Sequence, residues 1–185
     1  MLRVVIGYGL IAGLLVSVNF FWVLTSDPAS HTGSGYVYGY ATMIIALTAV
    51  FLGIKHYRDK ALGGVIRFGQ AVLVGLGISA VASLIYVVGW ELCLALSGMD
   101  FGSVYGQAMV DAARQKGASG AELEKVVADA QAFAKSYANP LYRMPMTFIE
   151  IFPVGLLITL ISAAVLRNSR VLPARRGVTV RVDGA

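Results

Sequence analysis

Charge is scarce in this sequence. Of 185 residues, 14% are Asp, Glu, Lys or Arg, against about 25% in a soluble domain. Cysteine is scarcer still. Cys93 stands alone, which excludes a disulfide framework and any thiolate metal cluster; it reads as a small buried apolar residue. The two histidines, His31 and His56, lie on different segments, and no H-E-x-x-H occurs. No nucleophile is spaced with a base. These absences speak against an enzyme, and no catalytic residue, metal or cofactor is assigned. Paired carboxylates are the one acid–base device left.

Apolar residues are abundant instead, at 57%, with a mean hydropathy of +0.73. They fall in four blocks, roughly 4–24, 36–54, 71–97 and 146–166, each nearly free of charge. A membrane span needs about 20 apolar residues. In hydrocarbon the backbone must satisfy its own hydrogen bonds, so the four blocks read as helices. The first is too long for a signal-peptide core, and no A-x-A site follows before Asp27, so it is expected to be retained. The fold class expected is all-α: an integral membrane four-helix bundle over residues 1–168. An outward-facing amphipathic hairpin, 100–140, joins the third and fourth spans.

The net charge of +5 follows the helix ends rather than forming a nucleic-acid face, so no nucleic acid is expected. Lys55, Arg58, Lys60 and Arg67 crowd the second loop, and five arginines follow Leu166. The first loop, 26–35, has no Lys or Arg, and the five in 98–145 are mixed with five acids. The positive-inside rule then places both termini in the cytoplasm. The tail, 169–185, reads as disordered and basic. Lys55, Tyr57, Arg58 and Lys60, within Gly53–Lys60, read as a headgroup anchor, and Trp90 as part of an interfacial belt. The partner expected is the lipid bilayer, with a homo-oligomer or a second membrane protein beside it.

The hairpin is legible from period and punctuation. Leu123, Val126, Val127, Ala130, Phe133, Ala134 and Tyr137 repeat at helical spacing. Ser119 and Glu122 have capping-box spacing before them. A shorter helix is expected over about 103–116, stopped near Gly117. The exposed or buried fate of the apolar stripe is open between the outer leaflet and the mouth of the bundle. Gly9-x-x-x-Gly13 and Gly35-x-x-x-Gly39, with Gly75, Gly77, Ser79 and Ser83, predict close helix packing inside the bundle.

Polar residues inside the blocks carry the candidate site. Glu91 lies six residues before Ser97, and Glu150 five residues after Pro145. At about 1.5 Å per residue both sit roughly 7–9 Å below the outer boundary. Asn19 reaches a similar depth, and Tyr40 opens the second span nearby. A carboxylate there is disfavoured in lipid, so the pair is expected to face each other, a cation or a watery pocket. Close together, they would share a proton. Pro153 has no N–H and frees the Ile149 carbonyl as a further acceptor. The ligand set expected is therefore Glu91, Glu150, Asn19, Tyr40 and Pro153, binding a proton, a cation or a small cationic solute. The competing reading is structural: Glu91 snorkels, Glu150 sits near its helix end, and the polar groups lock an assembly subunit. Arg143 is a salt partner for either carboxylate. Gln70, Leu73, Gly77, Ala80, Leu84, Val87 and Glu91 are expected to face the core as one stripe.

Three stretches together, GIKHYRDK at 53–60, Phe68-Gly69-Gln70-Ala71 and Glu150-Ile151-Phe152-Pro153-Val154-Gly155, resemble the bacterial membrane family DUF4199. The resemblance covers about residues 5–168. It implies a four-helix protein of the bacterial inner (cytoplasmic) membrane, and implies no activity.

Overall fold

The computed structural model describes residues 1–25 and 35–174, without the side chains of 19, 21–25 and 35–39. Every regular element among them is helical: α1 (Leu2–Thr25), α2 (Gly35–Ala61), α3 (Phe68–Ser97), α4 (Phe101–Gln115), α5 (Ala121–Tyr137) and α6 (Pro140–Leu166). Three stretches are long and apolar enough to cross a membrane: Tyr40–Ala61, Phe68–Ser97 and Pro140–Leu166. The apolar stretch described in α1, Leu2–Val18, is shorter.

The long helices start and stop for identifiable reasons. Asn139 caps α6 by accepting the Leu141 N–H at 3.0 Å, and Pro140 fills the first helical position, where no N–H is needed. This moves the helix start six residues ahead of the apolar block. Likewise α2 runs past its apolar block to Ala61, where the Lys55–Asp59 pair at i, i+4 supports the last turns. At the α3 start the Gln70 side chain accepts the Arg67 N–H at 3.4 Å. Gln70 is therefore an exposed cap, not a core residue.

α3 is the central element, packed on α1, α6 and α2; α1 and α6 each pack on α2 as well. Its buried face is Ala71, Val74, Gly75, Ile78, Ser79, Ala82, Ser83, Tyr86, Val87, Trp90 and Cys93. The stripe expected from sequence is displaced by about one position, since Leu73 and Leu84 are exposed. In a helix apolar on every side, hydropathy cannot separate lipid from core; small residues do. Gly75 faces Thr159, and Gly155 faces Ser79. A Cβ on Gly75 would lie 2.5 Å from Thr159 Cγ2, and one on Gly155 2.8 Å from Ser79 Cβ. The two hydroxyls meet between the helices at 3.3 Å. Gly9 and Gly13 let α1 approach Val81 and Ile85 of α3 in the same way, so that motif packs internally. Gly35-x-x-x-Gly39 lies outside the described side chains. On the outside, Leu10, Leu14, Ile45, Leu84, Leu92 and Leu157 are exposed, the pattern of helices that face lipid.

α4 and α5 form the expected hairpin, packed chiefly on each other. Gly102 and Gly106 face the backbone of Ala134 and Ala130, which buries Ala130 and Tyr137. The capping box expected at Ser119 is not formed. The cap of α5 is Gly120 at φ 56°, with no side-chain hydrogen bond. α4 is capped by Asp100, whose carboxylate accepts from the Ser103 N–H at 3.1 Å and the Ser103 hydroxyl at 2.6 Å.

Candidate functional site

The base of the hairpin meets the end of α3 through aromatic rings. Trp90 is buried between Phe20 of α1 and Phe101 of α4, with ring centroids at 5.1 Å on both sides. Its indole N–H donates to the Tyr137 hydroxyl at 2.8 Å. Trp90 is thus the seat of the hairpin and not a belt residue in contact with headgroups. Phe101 and Tyr137, the first residue of α4 and the last of α5, also meet at 5.3 Å. Burial pushes the Tyr137 phenol up from its ordinary value, so it stays a neutral hydrogen-bonding group at any ordinary pH. The hairpin stripe is therefore covered by α4 and seated at its base on the α3 end.

Two carboxylates lie near this seat, each with its own partner. Arg143 of α6 grips Glu91 of α3 with both arms of its fork, Nε to Oε1 at 2.6 Å and Nη2 to Oε2 at 2.5 Å. Its remaining Nη1 donates to the Tyr137 carbonyl at 3.4 Å and the Ala138 carbonyl at 3.5 Å. The two side chains keep 17% and 19% of their surface, low enough for the bidentate geometry to count. One guanidinium thereby ties α3, α6 and the end of the hairpin. Glu91 is neutralised by this cation, in place of the shared proton expected. A surface cleft of about 440 Å³ opens beside the pair, lined also by Leu94, Met99, Phe101 and Tyr137.

Glu150 lies seven residues further along α6, about 10 Å deeper. It lies within electrostatic range of the buried Tyr86 phenol of α3. Tyr137 lies within electrostatic range of the same carboxylate, and the Thr147 hydroxyl donates to the Arg143 carbonyl at 2.9 Å. Tyr40 of α2 is exposed on the helix surface. Among the described residues the ion pairs are Lys55–Asp59, Arg58–Asp59, Arg114–Asp111 and Arg143–Glu91, and none includes Glu150. Pro153 stands inside α6 and is exposed. The Asn19 side chain lies outside the described residues, as does His31. Tyr86 and Tyr137 were not singled out as site residues. Their signal was positional: Tyr86 shares a helix face with Trp90, and Tyr137 ends the amphipathic stripe.

The opposite end holds the largest correction. Arg58, expected at headgroups, is fully buried. It donates to the carbonyls of Leu166 at 3.4 Å, Val171 at 3.0 Å and Leu172, and its Nε pairs with Asp59 at 2.7 Å. It caps the end of α6 and the turn beyond it, where carbonyls lack helical donors. The first residues of the basic tail are thus folded back; 175–185 lie outside the described residues. Lys55 is spent on Asp59 at 2.5 Å, Tyr57 packs on the core, and Lys60 alone of the anchor set is freely exposed. Among the described residues no three His, Cys, Asp or Glu side chains gather as a metal site.

Residues 7–168 match the family model described as a protein of unknown function, DUF4199. No curated protein and no solved structure gives a significant match.

Proposed function

We propose, from the premise that this chain belongs to the DUF4199 family, that it is a four-span protein of the bacterial cytoplasmic membrane with a proton- or cation-binding carboxylate at Glu150. α1, α2, α3 and α6 are the spans. The excess of Lys and Arg at 55–67 and after Leu166 favours cytoplasmic termini and an outward hairpin. The carrying observation is that Glu150 lies within the apolar helix α6 and that none of the ion pairs among the described residues includes it. An unpaired carboxylate within a span is costly. Taking up a proton or a cation removes that cost.

The experiment is thermal unfolding of the detergent-solubilised protein across pH and across cations. Cation binding at Glu150 raises Tm in the unmodified chain, by about 2–4 °C per 1 kcal/mol of linkage. Glu150→Gln abolishes the rise while leaving the helices intact by circular dichroism. A Tm independent of both pH and cations overturns the reading. The second reading, a structural or assembly subunit, draws on the Arg143–Glu91 pair, because one of the two carboxylates is already neutralised within the chain. It expects Glu150→Gln to change oligomer size or co-purifying proteins, with no ligand effect.

A further inference from the structure

The turn from α3 into the hairpin and the corner from the hairpin into α6 border one cleft of about 440 Å³. Sites that take small molecules span about 300–1,000 Å³. All four helices that meet at the hairpin base line it: Glu91 and Leu94 of α3, Asp100 and Phe101 at the start of α4, Tyr137 of α5 and Arg143 of α6.

The hydrogen-bond capacity of these walls is unbalanced. Arg143 is the cation among the lining residues, and its donors are committed. Nε and Nη2 go to Glu91, and Nη1 goes to the Tyr137 and Ala138 carbonyls. An ionised carboxylate has about four acceptor positions. Glu91 gives two of them to Arg143, and Asp100 gives two to the N–H and hydroxyl of Ser103. The others stay open. Two carboxylates (−2) against one guanidinium (+1) leave the cleft at −1.

The α5–α6 corner adds acceptors. The Leu141 N–H goes to the Asn139 side chain and the Tyr142 N–H to the Asn139 carbonyl. The Tyr137 and Ala138 carbonyls therefore lose their helical donors, and Arg143 reaches them only at 3.4 and 3.5 Å. The surplus is of lone pairs and negative charge, and its complement is a cation rich in N–H groups. A bare metal ion fits poorly, because Leu94, Met99 and Phe101 present apolar wall where it needs oxygens. An amine on a small apolar body fits both halves. Phe101 is held edge-on against Trp90, ring centroids 5.1 Å apart, so that wall is in place before a ligand arrives.

We propose that this cleft binds a small organic cation with N–H donors and an apolar body. The Asp100 and Glu91 carboxylates hold the charge, and Leu94 and Phe101 pack on the body. Gly98 and Asp100 are exposed, so the ligand enters from the aqueous side. The inference goes beyond the Glu150 reading and does not depend on it.

The test uses the full chain in neutral detergent at neutral pH and low salt, with benzylammonium as the probe. Benzylammonium raises Tm saturably and slows amide exchange over 94–102 and 137–143. Benzyltrimethylammonium keeps the ring and the charge but has no N–H, and its midpoint is about ten-fold higher. Benzyl alcohol, without charge, and benzoate, of opposite sign, give no shift at the same concentrations. Asp100→Asn keeps the α4 cap, because Asn caps as well as Asp, and raises the benzylammonium midpoint severalfold. Equal midpoints for the two ammonium probes overturn the donor count that sets the ligand class. A response to benzyl alcohol equal to that of benzylammonium overturns the cation. A rise in Tm that survives Asp100→Asn and vanishes with Glu150→Gln puts the cation at Glu150 and overturns the cleft. No saturable rise, or a rise without slowed exchange in those two segments, overturns the proposal as a whole.

Discussion

Arg58 and Arg143 hold opposite ends of the helical core, and they do it by different chemistry. Arg58 is fully buried and spends its donors on three backbone carbonyls and one carboxylate. Arg143 is partly exposed and spends two donors on a single carboxylate of another helix. Backbone carbonyls cannot be titrated or competed away, so the Arg58 end is a fixed closure. A carboxylate–guanidinium pair beside an open cleft can be reached by solvent and ions, so the hairpin end is the adjustable one. The candidate site lies at that adjustable end.

The comparison is broken most directly at Arg58. Arg58→Met removes the guanidinium and leaves the Asp59 carboxylate and the α6 carbonyls short of donors. Losing one partner of a buried polar set costs about 3–5 kcal/mol, read as a large fall in Tm. Arg58→Lys recovers part of this, since an ammonium cannot reach all the carbonyls at once. An Arg58→Met protein as stable as the parent would remove the idea of a fixed closure.

A smaller effect, comparable with that at the hairpin end, belongs to the seam between the ends. Gly155→Val forces new atoms into Ser79, already 2.8 Å from a bare Cβ. Overpacking of this kind costs about 1–3 kcal/mol, measured by unfolding in detergent. Indifference to it would mean that α3 and α6 do not approach closely.

At the adjustable end, Arg143→Gln and Glu91→Gln should each cost about 1.5–3 kcal/mol, the range for hydrogen bonds to charged groups. The informative readout is local: amide exchange over 101–138 should quicken while that of α3 stays slow. A double-mutant cycle should return coupling between the two sites. Trp90→Phe keeps the ring stack and drops only the bond to Tyr137, about 0.5–1.5 kcal/mol, with quickened exchange confined to the hairpin base.

The smallest effect is the Asp100 cap. Hydrogen bonds from Ser103 hold its carboxyl below the ordinary value of 3.8. The folded value is depressed, so the cap contributes fully above 3.8 and fades as pH falls through the lowered value. Exchange at the start of α4 should quicken only in that acid window, and Asp100→Asn should remove the dependence.

Much of the fold was readable because hydropathy and period report what a segment can bury. The α4–α5 hairpin follows from its stripe, and three of the apolar blocks recur as helices long enough to cross a membrane. Facing was harder. Leu73 and Leu84 are as apolar as Val74 and Ile78, and only the small residues Gly75, Ser79 and Ser83 mark the packed side. Arg58 illustrates a signal that was present and overlooked. It continues the buried stripe of Leu47, Val50 and Ile54, at a spacing that points inward. Composition favoured a headgroup anchor because Lys55, Lys60 and Arg58 look alike without that register. The partner choice of Glu91 was open in sequence, since Arg143 stands just outside the level expected for both carboxylates and is seven residues from Glu150 but 52 from Glu91 along the chain; the folded chain pairs it with the distant one.

The Arg58 closure also has an ordering in time. Its partners at Leu166, Val171 and Leu172 lie more than a hundred residues downstream, and a ribosome makes them much later. Until they emerge, the guanidinium has only Asp59 and water for company. Completion of α6 is therefore what allows the end of α2 to dehydrate, and a nascent chain stalled before Leu166 carries an unfinished, hydrated corner.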